Sequence, residues 1–318
     1  MQQHHIHPGE EAVLAVLGGT PIEQAARRVP TSPGQLAEAV ERYRAAGRTA
    51  LEHPTAGWYQ AYVTFADYPT AARAFRAHLQ PALHSKAVGA WWFLRKYPCW
   101  RLRAQPATGA SLEDSIEHTA QALDSAVSWG VVKQWQPTLY EPETIAFGGL
   151  DGMAIAHRIF HTNSLGALIY DQHADDRRDG LLDAKTASLL VLAVFLRTAG
   201  LECGEQGEVW AQAEAKRALP TDVPPDKFSS IVEPMRKLLT LDTGPALSNG
   251  PLKPLRDWMA GMGSGGQALK EAENAGHLWL GLRGILARHV VFHWNRMGFS
   301  GRQQAIWSRA AREALLGH

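Results

Sequence analysis

The chain has 318 residues, 45% hydrophobic and 20% charged, which is enough for a real core in one or two domains. Its 32 basic and 31 acidic residues leave a formal net charge of +1, so no electrostatic footprint marks a nucleic-acid backbone or an anionic membrane as its main partner. Two cysteines, Cys99 and Cys203, exclude a disulfide framework and point to a reducing, cytoplasmic setting. The N-terminal MQQHHIHPGEE lacks the basic and apolar regions of a signal peptide, and the longest apolar run, LLVLAVFL at 189–196, is too short to span a bilayer.

Residues 1–55 read as a three-helix, helix-turn-helix-like appendage. EEAVLAVLGG is a short helix closed by Gly18 and Gly19; Thr20, Pro21 and Glu23 form a capping pattern for a second. The third, TSPGQLAEAVERYRAAG, has Leu36, Val40 and Tyr43 on one face and Gly47 as its stop. Five arginines against six glutamates over residues 1–52 favour packing or protein docking over DNA binding.

Residues 56–318 form the second predicted domain. WYQAYVTFAD alternates as a strand, YPTAARAFRAHLQPAL is helical, and Ala90–Arg95 and Trp100–Ala104 are strands joined by KYPC. A helix over 111–130 and a short strand near QWQPTLYEPE follow. The fold class expected is α+β: a small mixed or antiparallel sheet with packed helices, then a mostly helical half with helices at 150–170, 183–200, 225–240, 268–297 and 301–316. LPTDVPPD, LDTGPALSNGPLKP and GMGSGGQ read as loops.

Several chemistries can be weighed on these elements. His4, His5 and His7 sit in a terminus with no distant partner, so a metal role is disfavoured. His157 and His161 have the spacing of zinc peptidases, but Arg158 stands where those need Glu, and zinc proteolysis is rejected. Neither a phosphate loop nor a Gly-x-Ser-x-Gly elbow is present. Polar residues inside apolar periodicity remain. Ile285, His289, His293 and Arg296 recur along one helical stripe, and either satisfy the helix C-terminus or line a cleft. In WWFLRKYPCWRLR, which also holds Arg95 and Lys96, Arg101 and Arg103 share one strand face, as snorkelling surface residues or as an anion cradle.

Five segments in this order, WWFLRKYPCWRLR, YEPETIAFGG, AHRIFHTNS, FLRTAGLECGEQGEVW and HVVFHWNRMGF, resemble the C-terminal domain of lanthipeptide dehydratases. That domain also exists as a stand-alone thiopeptide-type bacteriocin biosynthesis protein. The resemblance runs from Trp58 to the C-terminus. It implies work on a ribosomally made precursor peptide, leader plus core, with no cofactor or metal and no direct nucleic acid. The preferred activity is elimination of glutamate from glutamylated Ser or Thr, the glutamylation belonging to a separate dehydratase subunit. Two alternatives stand beside it: formal aza-[4+2] cycloaddition of two dehydroalanines to a pyridine, and a non-catalytic peptide-binding partner of a dehydratase. A homodimer is compatible with each.

By the same resemblance Arg103 matches the arginine that ends the family's hairpin motif, with Arg101 and Arg95 beside it. His293 lies in the His-rich stretch before Asn-Arg, with His289 as its competitor; Tyr140 is the remaining catalytic candidate. Arg95, Arg101, Arg296, His161 and Ser164 are the substrate-binding candidates. One departure is clear: eliminating enzymes carry an arginine in a Tyr-x-Arg-Glu segment, and here YEPE places Pro142 in that slot.

Overall fold

The computed structural model describes residues 8–52, 57–222, 226–250 and 252–317; the HHIH histidines lie outside them. The chain divides into two compact units, Met1–Gly57 and Trp58–His318. The first holds α1 (Pro8–Leu17), α2 (Ile22–Ala26) and α3 (Pro33–Glu52). Ala12, Val13, Ala25, Ala26, Leu36 and Val40 form its small core. Three expectations are corrected here. Pro21, not Thr20, is the N-cap of α2, and it makes no side-chain capping bond. Gly47 does not stop α3, which continues to Glu52. Tyr43 is exposed, because the apolar stripe ends with Val40.

The second unit is built on a four-stranded antiparallel sheet of β1 (Tyr59–Phe65), β2 (Val88–Lys96), β3 (Cys99–Pro106) and β4 (Val132–Thr138), in the order β2-β3-β1-β4. Alternation gives the sheet two unlike faces. Val63, Phe65, Trp91, Phe93, Trp100 and Leu102 lie on one. They pack against α4 (Ala71–Ala74), a π-turn (Phe75–Leu79), α5 (Gln80–Leu83) and α6 (Leu112–Ser128), with Phe75 stacked on Trp100. The predicted helix over YPTAARAFRAHLQPAL thus contains a π-turn. The other face carries Gln60, Tyr62, Trp92, Leu94, Arg101 and Arg103.

The helical half comprises α7 (Gly149–Asp175), α8 (Ala184–Thr198), α9 (Cys203–Ala215), α10 (Asp226–Thr240), α11 (Gly244–Asn249), α12 (Arg256–Asn274), α13 (Leu282–Met297) and α14 (Gly301–Leu316). The helix expected over 268–297 is two helices: Gly276, at φ 72°, begins a break, and the Trp279 N–H donates to the Gly148 carbonyl. GMGSGGQ, expected as a loop, lies inside α12. Its glycines are there for close approach: a Cβ on Gly265 would stand 2.4 Å from Ile159 Cγ1, and one on Gly266 2.5 Å from the Phe195 carbonyl. The helices α9 and α11 were not anticipated. Glu202 and Glu205 cap α9 reciprocally, a capping box without the usual Ser or Thr.

Helices α7 and α13 seal the outer edge of β2 with side chains. Phe93 N–H donates to Ser164 Oγ (3.2 Å), whose hydroxyl donates to the Phe160 carbonyl (2.8 Å). Arg296 Nε donates to the Phe93 carbonyl (3.1 Å) and to Ser164 Oγ (2.9 Å). His161 Nδ1 meets the backbone of Trp91, 2.7 Å from its carbonyl and 3.2 Å from its N–H. A buried sheet edge without such partners would leave orphaned amides and carbonyls.

A second buried network crosses the helices. Trp258 Nε1–H and His293 Nδ1–H both donate to Asn163 Oδ1, each at 3.0 Å. The Ser188 hydroxyl then donates to His293 Nε2 (2.8 Å) while accepting from Trp294 Nε1–H (3.1 Å). Asn163 Oδ1 can only accept, so the His293 proton sits on Nδ1, and burial keeps the ring neutral. His289 sits among Phe147, Phe160 and Phe195, and its Nε2 has no partner. Burial, then the nearby Arg296 charge, pushes both imidazoles down to about 3.

Two outcomes follow from these contacts. Ser164→Ala removes an acceptor shared by a buried amide and a buried guanidinium, and should cost about 1–3 kcal/mol in urea unfolding. A loss below the error of that measurement would contradict the edge seal. For the histidines, the unfolded chain takes up protons as pH falls below about 6.5 and the folded one does not until about 3. Stability should therefore fall steadily with pH through that window. His289→Phe removes one of the two groups and should make the slope shallower; an unchanged slope would refute its contribution.

Candidate functional site

The polar face of the sheet forms the floor of a cavity of about 430 Å³, closed by the segment after β4, by α7 and α13, and by Lys216 and Arg217 just past the end of α9. Strand register arranges that floor in rungs. The inner rung is Gln60, Arg103 and Trp92, and the next is Tyr62, Arg101 and Leu94, with Lys96 beyond Leu94 on the same face. Gln60 ties the inner rung down: its Nε2 donates to Thr138 Oγ1 and to the Leu139 carbonyl, both at 2.8 Å, while its Oε1 accepts from Arg103 Nε at 2.6 Å.

Arg103 is the central group, only 6% exposed, with its guanidinium 4.2 Å from the Trp92 ring and 5.5 Å from that of Tyr140. No carboxylate pairs with it among the described residues, and its Nη2 has no hydrogen-bond partner there. Burial pushes it down to about 10, so it stays a cation at neutral pH. An uncompensated buried guanidinium is costly, and such groups concentrate where a ligand completes them.

Beside Arg103 the Tyr140 hydroxyl meets His157 Nε2 at 2.7 Å, and Trp58 packs on the imidazole at 4.5 Å. Burial, reinforced by the Arg103 charge, pushes His157 down to about 4 and leaves it neutral. Burial also raises Tyr140, which keeps its proton. The pair is a protonated hydroxyl on a neutral imidazole, able to hold or pass a proton at the cavity wall. The rim adds Lys96, Lys216, Arg217 and Arg288, with Glu141 and Glu143; Arg288 is paired to Glu143 at 2.8 Å.

Of the sequence-derived candidates, the structure brings Arg103, Arg101 and Tyr140 together. Arg95 lies on the opposite face of the sheet, over Trp100 and paired with Asp171, because it is out of phase with Leu94 and Lys96. His161, Ser164 and Arg296 seal the β2 edge, and His289 and His293 lie in the core behind the cavity wall. Sequence reasoning did not select Gln60, Trp92, His157, Arg217 or Arg288. Gln60 was marked by its alternation with the apolar residues of β1; His157 was weighed only as a metal ligand. Among the described residues no cluster of acidic, His or Cys side chains is suited to a metal, and no helix is long and apolar enough to cross a membrane.

Residues 58–315 match the family described as the C-terminal region of lantibiotic biosynthesis dehydratases. No curated protein sequence matches the chain. Among the solved structures similar to it, three are matched over 82% of the chain. The tRNA-dependent lantibiotic dehydratase MibB from Microbispora sp. 107891 matches with a TM-score of 0.51 and 16% identity, and the chain spans only 28% of that protein. The pyridine synthase TbtD from thiomuracin biosynthesis is covered over 98% of its length, with a TM-score of 0.56 and 17% identity. TsrL is covered over 96%, with a TM-score of 0.52 and 15% identity. At these identities the three structures establish the shared fold, and the family match over most of the chain establishes the kinship. The chain belongs to the lantibiotic biosynthesis dehydratase C-terminal family.

Proposed function

We propose that the protein eliminates glutamate from glutamylated Ser or Thr residues of a ribosomally made precursor peptide. The observation that carries this reading is Arg103: a buried guanidinium with no carboxylate partner, in a cavity lined by six cationic side chains and two carboxylates. A substrate that departs as a carboxylate fits that imbalance.

In the elimination the Cα–H bond breaks and its proton passes to a base. The electron pair becomes the Cα=Cβ bond, and the Cβ–O bond breaks with its pair leaving on the glutamate carboxylate. Arg103 holds the leaving carboxylate, and Tyr140 with His157 handles the proton. As Tyr140 receives one proton its own shifts to His157 Nε2, so the oxygen never carries a full charge. A carboxylate seated on Arg103 offsets one of the two causes that hold His157 low, which favours that shift once substrate is bound. Pro142 stands where the resemblance expects a second arginine, so this reading assigns the leaving carboxylate to Arg103 alone.

The Tyr140–His157 pair also favours a second reading, cycloaddition of two dehydroalanines, in which it would protonate and orient the reacting amide. One pair of substrates separates the two. Incubated with a glutamylated peptide, the protein should release glutamate and leave a dehydroamino acid, read by mass. Arg103→Gln should lower the rate about 10²–10³-fold, and Tyr140→Phe about 10²-fold or more. A glutamylated peptide left unchanged, with a bis-dehydroalanine peptide converted to a pyridine, would sink elimination in favour of cycloaddition.

A further inference from the structure

Proposed elimination uses the inner rung of the cavity floor and leaves the outer one unexplained. Lys96, Arg101 and Arg217 line the same cavity, and none has a carboxylate partner among the described residues. Arg217 is held in place: its Nε donates to Gln304 Oε1 and its Nη1 to the Lys216 carbonyl, both at 2.9 Å, which leaves Nη2 open. Arg101 lies over the Tyr62 ring at 5.1 Å, and its buried Nε has no partner. Lys96 is half-buried and held below its usual range, first by burial and then by the charges of Arg217 and Arg101. Glu143 opposes the lowering of Lys96, but six cations outnumber the two carboxylates of the cavity lining. Glu143 is committed to Arg288, and Glu141 makes no ion pair among the described residues.

Three like charges brought together in a partly desolvated cleft repel one another, and a folded surface ordinarily intersperses the two signs. We propose that the outer rung is a second anion subsite, made by Lys96, Arg101 and Arg217, which selects precursor peptides with an Asp or Glu side chain within two residues of the reacting position. The spacing sets that register. Arg101 and Arg103 are two residues apart on one strand, hence about 7 Å, and same-side residues of an extended peptide are separated by the same distance. A peptide lying along the rungs with its reacting residue at Arg103 therefore brings a neighbour's side chain to Arg101 and Arg217. The inference rests on the peptide-substrate reading above but not on which reaction is catalysed.

The test reads binding first, and turnover of glutamylated peptides second. Two fluorescein-labelled decapeptides, each with one Ser and differing only in Asp or Asn two residues away, are titrated with the full chain at low salt and followed by anisotropy. The Asp peptide should bind about tenfold tighter, with the advantage shrinking as salt rises. Lys96→Met and Arg217→Gln should each reduce that advantage, and Arg217→Lys should restore part of it. Melting curves confirm that the variants are folded. Equal affinity for the two peptides, or an advantage that survives both substitutions, overturns the proposal. So does a loss of turnover on glutamylated peptides that is the same with Asp and Asn, which would assign the outer cations to the glutamyl group. An Asp preference in a protein that leaves glutamylated peptide unchanged would refute elimination and keep the subsite.

Discussion

The outer edge of β2 is the constraint on which the rest of the second unit depends. The edge of a sheet can face water, or it can be buried only if something else bonds its amides and carbonyls. Here α7 and α13 do this with His161, Ser164 and Arg296. Because those bonds are specific, they fix how the helices sit on the strand. Trp92, on the other side of the backbone from Trp91 and Phe93, is then held against Phe160 at 4.6 Å and beneath the Arg103 guanidinium at 4.2 Å. The cavity is therefore the space left over when a sheet edge is sealed, and its charged floor follows from strand alternation.

The electrostatics of the unit have one sign in this region. Arg296 and Arg103 are both buried cations without carboxylates, and each lies near the Trp92 ring. Arg296 also has two buried guanidinium nitrogens without hydrogen-bond partners. Charges of this kind are paid for elsewhere in the fold, and the histidines show one consequence. Burial with Arg296 nearby keeps His289 and His293 neutral, and burial with Arg103 nearby does the same for His157. Of the three, His157 alone is hydrogen-bonded to a cavity-lining side chain, the Tyr140 hydroxyl, whereas His289 meets the wall through ring contacts with Phe147 and Phe160.

Much of this was legible in the sequence where the signal was local. Period-two alternation in WRLR put Arg101 and Arg103 on one face, and the Tyr-Pro turn placed the hairpin. The rest depended on partners far along the chain. The His289, His293 and Arg296 stripe was correctly one helical face, but whether that face met a cleft or a core depended on α7, α8 and α12, which no local pattern shows. GMGSGGQ has loop composition; only the facing Ile159 and Phe195 reveal that its glycines permit helix contact. Gln60 became a site residue solely because β1 pairs with β3 so as to set it opposite Arg103.

The same pairing places Arg103 at a junction of the unit. Arg103 touches three things at once: Gln60, which anchors the end of β4; Trp92, which is pinned by the sealed edge; and the Tyr140 ring, whose hydroxyl meets His157. Any anion that binds Arg103 weakens the field that holds His157 low, so occupancy of the anion site and proton affinity of the dyad are coupled by Coulomb's law alone. A carboxylate leaving group would use that coupling to favour proton removal as the substrate settles. A substrate without a charge would meet a dyad still held neutral, suited to donating a hydrogen bond from Tyr140. What neutralises Arg103 therefore sets the protonation balance of the Tyr140–His157 pair.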